Sequence, residues 1–127
     1  MPNIDRTYAE RYPERNKKKI AAITENLEPV ESVIDIGCNA GYISQKLLDQ
    51  KLAQEVQGIE LDKAIVQDSL LAENNFRLFE GKATDFKFQR TYTAAVYCAV
   101  HHHILTREGM LPAWNFWSKL VSHIDSY

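Results

Sequence analysis

The stretch at residues 33–44, VIDIGCNAGYIS, changes character twice over a short distance. It begins as an apolar, β-branched run with an acid at Asp35, breaks at Gly37, and restarts after Gly41 with helical spacing. A glycine directly after a strand lets the chain turn with no Cβ in the way, and the second glycine lets a helix begin close to a ligand. The stretch therefore predicts a strand, a turn that leaves room for a ligand, and a helix.

Outward from this stretch, strand-like and helix-like patterns alternate. Strands are predicted at 32–37, 55–61, 76–81 and 92–100, and helices at 16–27, 42–52, 62–74 and 108–124. This alternation favours an α/β fold of the Rossmann-like, three-layer α/β/α kind, with a mainly parallel sheet in the strand order 3-2-1-4. Ligands bind such sheets at the carboxyl ends of the strands. The aromatic residues Trp114, Phe116 and Trp117 of the last helix are expected mostly in the core.

Composition narrows the function classes. The chain has 127 residues, suits one domain over 1–127, and is 45% hydrophobic. Its formal net charge of −2 disfavours a general nucleic-acid binder. The sequence shows no signal peptide and no apolar span long enough for a transmembrane helix. The two cysteines, Cys38 and Cys98, are interpreted as free thiols of a reducing compartment, which predicts a cytoplasmic protein.

The glycine spacing discriminates between ligands. A dinucleotide site favours G-x-G-x-x-G/A, because the main chain must approach a pyrophosphate. Here Asn39 occupies the middle position, and the last glycine of that pattern falls on Tyr42. The fit to a pyrophosphate is poor, whereas a ligand without phosphates tolerates a side chain at Asn39.

Four segments in order resemble the class I S-adenosylmethionine-dependent methyltransferases. VIDIGCNAGYIS resembles their motif I, VQGIELD (56–62) their second motif, FEGKATDF (79–86) the loop after strand 3, and YTAAVYCAVHHHI (92–104) the fourth-strand segment. The resemblance covers almost the whole chain. A narrower likeness, carried by GCNAGYIS, VHHHI and YAERYPERN (8–16), is to the methyltransferase domains of enzymes that terminate bacterial surface polysaccharides.

The resemblance implies a cofactor role for ten residues. Asp35 would anchor the loop and help to hold the methionine amino group, and Glu60 would accept hydrogen bonds from both ribose hydroxyls. Glu60 lies 23 residues after Gly37, close to the roughly 20 expected between a glycine loop and a ribose-binding acid. The other implied contacts are Gly37, Cys38, Asn39 and Gly41 along the methionine and ribose, Leu61, Ala83 and Thr84 around the adenine, and Cys98 under the methionine.

The sequence also departs from the family pattern. Asn39 replaces a glycine, and Lys82 and Thr93 stand where the family often has aspartates. The family's sheet usually continues through three more strands after the position of the last predicted helix. We therefore expect an N-terminal part of a longer fold, whose fourth-strand edge pairs with a missing segment or with another chain.

Within the histidine triplet 101–103, His102 is interpreted as marking the acceptor side of the site, with His103 able to exchange roles with it and His101 turned toward protein. Adjacent residues project in different directions, so three in a row cannot all face one ion, and no metal site is predicted. The resemblance places His102 or His103 where a catalytic base would act; hydrogen-bonded structural histidines are the alternative. Tyr8, Arg11 and Arg15 lie in a segment that often covers the cofactor in this family, and they are the expected acceptor contacts.

Three function classes stay open. The first is an active methyltransferase that uses S-adenosylmethionine, releases S-adenosylhomocysteine, and acts on a small-molecule or glycan/phosphate acceptor. The second is a cofactor-binding module of the same fold without its own activity, with a structural or regulatory role. The third is a nucleotide-dependent oxidoreductase, which the residue at Asn39 disfavours.

Overall fold

The structure is a computed structural model, and it describes residues 28–97 and 107–124. Its strands are β1 (Val30–Ile36), β2 (Ala53–Glu60), β3 (Phe76–Glu80) and β4 (Ala94–Tyr97). Its helices are α1 (Tyr42–Asp49), α2 (Asp68–Leu71) and α3 (Met110–Ser122), with 3-10 turns at Lys63–Ile65 and Ala83–Asp85. The predicted helix at 16–27 lies outside the described residues.

The described strands form one parallel sheet in the order β3-β2-β1-β4. In its register Asp35 of β1 lies opposite Gly58 of β2 and Val96 of β4. The predicted fold class and strand order are therefore confirmed. Because the strands are parallel, the turns that follow Ile36, Glu60 and Glu80 meet at the same edge of the sheet.

Two apolar clusters lie on opposite faces of the sheet, because successive strand residues point to opposite sides. One cluster joins β1 and β2 to α1 and α2, and includes Val33, Leu47, Val56, Leu70 and Phe76. The other joins the same strands to α3, and includes Ile34, Ile36, Ile59, Phe116 and Leu120. The sheet is thus a middle layer between helices. None of the described helices is long and apolar enough to cross a membrane.

The predicted helix at 62–74 is interrupted. Asp62 caps only the 3-10 turn Lys63–Ile65, by accepting from the Ala64 amide at 3.0 Å, and Val66 and Gln67 are extended before α2 begins. The reason is tertiary: the Lys63 amide donates to Glu80 Oε2 at 2.9 Å, and the Gln67 amide donates to the Ala40 carbonyl at 3.0 Å. These contacts hold the segment against the sheet edge at the expense of a continuous helix.

The expectation for the aromatic residues of α3 is correct for one and wrong for two. Phe116 is buried against the sheet, whereas Trp114 and Trp117 are 61% and 41% exposed. The core-facing residues of α3 are Ala113, Phe116 and Leu120, and their spacing of three and four defines a stripe that excludes both tryptophans.

Candidate functional site

The end of β1 places a buried carboxylate beneath the first helix. Asp35 is 3% exposed, and its Oδ2 accepts a hydrogen bond of 2.6 Å from the Ser44 hydroxyl. Ser44 is fully buried in the first turn of α1. A bond of this kind to a carboxylate fixes the position of both groups, so the predicted anchor Asp35 holds the start of α1 against β1.

The turn between β1 and α1 needs residues that tolerate positive φ. Gly37, Asn39 and Gly41 have φ of 70°, 57° and 89°. At Gly41 a Cβ would also come within 2.2 Å of Leu70 Cδ2, and Leu70 is fully buried. Gly41 is therefore required for backbone conformation and for packing, while Asn39 is among the few side chains that adopt this conformation readily.

Glu60 connects the two loops that line the edge. Its Oε1 accepts from the Asn39 amide at 2.9 Å and its Oε2 accepts from the Asp62 amide at 3.1 Å. The side chain is 7% exposed. The amides of Gly37 and Cys38 both donate to the Ile59 carbonyl, at 2.8 and 3.0 Å. The glycine loop and the end of β2 thus form one hydrogen-bonded unit, with a carboxylate at its centre.

The Cys38 side chain faces the protein interior. It is 7% exposed and belongs to the apolar cluster on the α1 face, with its sulfur 3.2 Å from where a Cβ on Gly58 would lie. Burial, together with the nearby charges of Asp35 and Glu60, raises the pKa of this thiol. The thiol is therefore packed in the core, and the cofactor contact implied for Cys38 stays a prediction.

The predicted adenine side is more open. Leu61 directly follows Glu60 and is 54% exposed. Ala83 and Thr84 lie in the 3-10 turn after β3, where the Thr84 hydroxyl donates to Glu108 Oε1 at 2.9 Å. The turn therefore leads from the edge of the sheet toward the start of α3.

The structure brings most of the predicted cofactor residues to one edge. Those that it places there are Asp35, Gly37, Cys38, Asn39, Gly41, Glu60, Leu61, Ala83 and Thr84. The predictions for Cys98, His102, His103, Tyr8, Arg11 and Arg15 lie outside the described residues. Within 28–97 and 107–124, no three His, Cys, Asp or Glu side chains are grouped to hold a metal ion.

Sequence reasoning missed three residues that support this edge. They are Ser44, which bonds Asp35, Leu70, which packs at Gly41, and Asp62, whose amide binds Glu60. The sequence could have indicated Ser44, because it lies in the first turn of an amphipathic helix and three residues before Leu47, on the same apolar face. Leu70 carried none, because its contact with Gly41 depends on how the chain returns after β2.

The chain matches no protein-family model and no curated protein, but it matches solved structures. SAM-bound CalS10, an amino pentose methyltransferase from Micromonospora echinaspora, is 18% identical, with 98% of this chain and 52% of that chain covered and a TM-score of 0.60. N-methyltransferase NodS from Bradyrhizobium japonicum is 13% identical over 91% and 64%, with a TM-score of 0.68. WbdD is 21% identical over 84% and 27%, with a TM-score of 0.72.

These likenesses define the class of fold. The described sheet and its helices have the Rossmann-like architecture of the class I S-adenosylmethionine-dependent methyltransferases. The chain spans about half the length of CalS10 and less of WbdD.

Proposed function

We propose that this chain binds S-adenosylmethionine and transfers its methyl group to a small-molecule or glycan/phosphate acceptor, releasing S-adenosylhomocysteine. The observation that supports the proposal is the position of the Glu60 carboxylate, which accepts from the Asn39 amide in the glycine loop and from the Asp62 amide after β2. The fold agrees with it, and CalS10 is a methyltransferase that was solved with the cofactor bound.

The residues at this edge fit the proposed cofactor. The Glu60 carboxylate accepts main-chain N–H groups of both loops, and a carboxylate is an acceptor of the kind that a ribose diol needs. Leu61 exposes an apolar surface beside it on which an adenine would pack. We propose that the turn at Gly37–Gly41, which has positive φ at Gly37, Asn39 and Gly41, faces the methionine part.

The chemistry asks mainly for alignment. When bound, the cofactor supplies a methyl group on a sulfonium, which is already activated for in-line displacement. The protein then has to hold the acceptor in line and exclude water. A neutral acceptor must also lose a proton, and His102 or His103 is the proposed base, because an unperturbed histidine titrates at about 6.5. We propose Tyr8, Arg11 and Arg15 as acceptor contacts, where arginines would suit a phosphate or carboxylate.

A binding module without activity is the second candidate. It is favoured by the outer side of β4, which pairs with no further strand among the described residues. Either candidate fits the cytoplasmic location that the cysteine content predicts, which stays a prediction.

Calorimetric titration of the 127-residue chain with S-adenosylmethionine, S-adenosylhomocysteine and NAD tests the cofactor. We expect both sulfur ligands to bind and NAD not to bind. Binding of NAD alone would contradict the proposal and favour the oxidoreductase class. A methyl-release assay on a panel of hydroxyl, amine and phosphate acceptors then separates the enzyme from the binding module.

His102→Ala tests the proposed base. We expect turnover to fall about 10²–10⁴-fold with cofactor affinity nearly unchanged, and wild-type activity to rise with pH through about 6.5. The matched control is His123→Ala, because His123 lies after α3 and stacks on Phe88 at 4.8 Å. Joint loss of cofactor affinity and turnover in His102→Ala would make that residue structural.

A further inference from the structure

The turn after β3 is fixed over the α3 face of the sheet by aromatic packing. Phe86 directly follows the 3-10 turn Ala83–Asp85, and its ring meets the rings of Phe79 and Phe88 edge to face, with centroids 5.3 and 5.1 Å apart. Ala83 and Phe86 also pack against the apolar cluster that α3 shares with the sheet. Because aromatic pairs of this geometry are stabilising, the turn has a defined position near the start of α3.

A carboxylate from another part of the chain is held against this turn. Glu108 lies 24 residues after Thr84 and two residues before α3, and its Oε1 accepts the 2.9 Å hydrogen bond from the Thr84 hydroxyl. Both residues are partly buried. Since a bond from a hydroxyl to a carboxylate is charge-assisted, it keeps the Glu108 carboxylate beside the turn. No residue within 28–97 and 107–124 donates to the second oxygen, Oε2.

The other acids of the sheet edge serve the β1–β2 half. Asp35 accepts from the Ser44 hydroxyl, and the remaining acids accept from main-chain amides; these are Glu60, Asp62 and Glu80. Glu108 differs, because its carboxylate is bonded to the turn that is expected around the adenine. It is therefore the carboxylate to consider for recognition of the base.

Adenine carries a hydrogen-bond donor that suits a carboxylate. Its 6-amino group donates, whereas hypoxanthine, the 6-oxo analogue, has an acceptor at the same position. An ionised carboxylate only accepts, so it binds the amino group and repels the oxo group. A site built to bind an N–H discriminates strongly against an analogue without it, because the polar group of the site is then left unpaired.

We propose that Glu108 is a specificity-determining residue of the cofactor site, whose carboxylate, positioned by Thr84, accepts a hydrogen bond from the 6-amino group of the adenine. The inference rests on the proposed function, because it takes the adenine of S-adenosylmethionine to lie beside the turn Ala83–Asp85. It gives the segment before α3 a part in binding, alongside the Glu60 carboxylate of the β1–β2 half.

Calorimetric titration with two ligands tests the inference. S-adenosylhomocysteine carries the 6-amino group, and S-inosylhomocysteine differs from it in having a 6-oxo group. We expect the wild-type chain to bind S-adenosylhomocysteine at least about tenfold more tightly, because the 6-oxo ligand loses a hydrogen bond to a charged acceptor. In Glu108→Gln the side chain both accepts and donates, so this preference should fall to less than about threefold.

Two further variants show whether the effect belongs to Glu108. Asp85→Asn is the matched control, because Asp85 is an acid of the same turn but is exposed, and it should keep the wild-type preference. Thr84→Val is close in shape and removes the donor that positions Glu108, so it should lower the preference as Glu108→Gln does. A variant that only loosens the fold weakens both ligands and leaves the ratio of their affinities unchanged.

Two results would overturn the inference alone. One is an unchanged preference in Glu108→Gln, which would make Glu108 a structural partner of Thr84 while the proposed cofactor stands. The other is equal affinity of the wild-type chain for the two ligands. If the wild-type chain bound neither ligand, the proposed function would itself be contradicted, and this inference with it.

Discussion

The β1–β2 half of the sheet and the β4–α3 half differ in how completely their groups are partnered. On the first side, the Glu60 carboxylate accepts hydrogen bonds from two loops and Asp35 accepts one from Ser44. Leu70 packs directly against Gly41. On the second side, two tryptophans are exposed, and beside β4 the chain forms a single isolated bridge between Tyr92 and Ile124 among the described residues. The difference indicates that the proposed cofactor edge is built by the first two strands, whereas the α3 side leaves apolar side chains exposed among the described residues.

The sharpest test of the comparison lies within α3. Phe116→Ala removes a buried ring and should lower the free energy of unfolding by about 3–5 kcal/mol. Trp114→Ala, on the exposed side of α3, should change it by less than about 0.5 kcal/mol. Chemical denaturation followed by circular dichroism measures both. A cost for Trp114→Ala as large as that for Phe116→Ala would mean that this side of α3 is already covered.

Gly41→Ala tests how tightly the cofactor side is packed. Gly41 has a φ of 89°, and an added Cβ would lie 2.2 Å from Leu70 Cδ2. The free energy of unfolding of the variant should therefore fall by about 2–4 kcal/mol, because backbone strain and overpacking act together. In a Leu70→Ala background the steric part disappears, and the cost of Gly41→Ala should shrink by about 1–3 kcal/mol.

Gly109→Ala is the counterpart of that change on the α3 side. Gly109 also has positive φ, at 98°, but nothing lies within 4 Å of its added Cβ. Only backbone strain should therefore lower the free energy of unfolding of Gly109→Ala, and this cost should be the same in a Leu70→Ala background. If Leu70→Ala left the cost of Gly41→Ala unchanged, the packing argument for Gly41 would be wrong.

A smaller effect on the free energy of unfolding is expected from Tyr97 at alkaline pH. Burial raises the pKa of Tyr97 to about 12, above the roughly 10 of an unfolded chain. The folded state therefore holds this proton more tightly, and the stability that Tyr97 contributes is present below pH 10 and is lost as the pH rises toward 12. The phenol is partly exposed, so solvent screening should keep the loss below about 1 kcal/mol. Tyr97→Phe should remove this part of the pH dependence; an identical alkaline slope in the variant would assign the loss elsewhere.

The sequence predicted the features that depend on local pattern. The strand order followed from the alternation of periods, and the resemblance of 33–44 and 56–62 to methyltransferase motifs singled out Asp35 and Glu60, which the structure shows to be buried. Asn39 was recognised as unusual, and its φ of 57° gives the physical reason that an asparagine can stand there.

What the sequence did not predict depends on tertiary contacts. The interruption at 62–74 arises because Glu80 and Ala40 bind amides of that segment. The exposure of Trp114 and Trp117 could not be read from hydrophobicity, since α3 has apolar residues on two sides and composition does not say which side meets the sheet. The inward direction of the Cys38 side chain likewise depends on the course of the turn.

The central claim is that Glu60 is the ribose-binding acid of a cofactor site, and paired alanine variants test it. Glu60→Ala removes acceptors to a ribose diol, while Glu80→Ala removes an acid at the equivalent end of β3 that also binds a main-chain amide but is exposed. Hydrogen bonds to a charged acceptor contribute roughly 1.5–3 kcal/mol each, so calorimetry should show the affinity of Glu60→Ala for S-adenosylhomocysteine reduced at least about tenfold. Glu80→Ala should bind like the wild-type chain. Equal affinity of a folded Glu60→Ala variant and the wild-type chain would contradict the account.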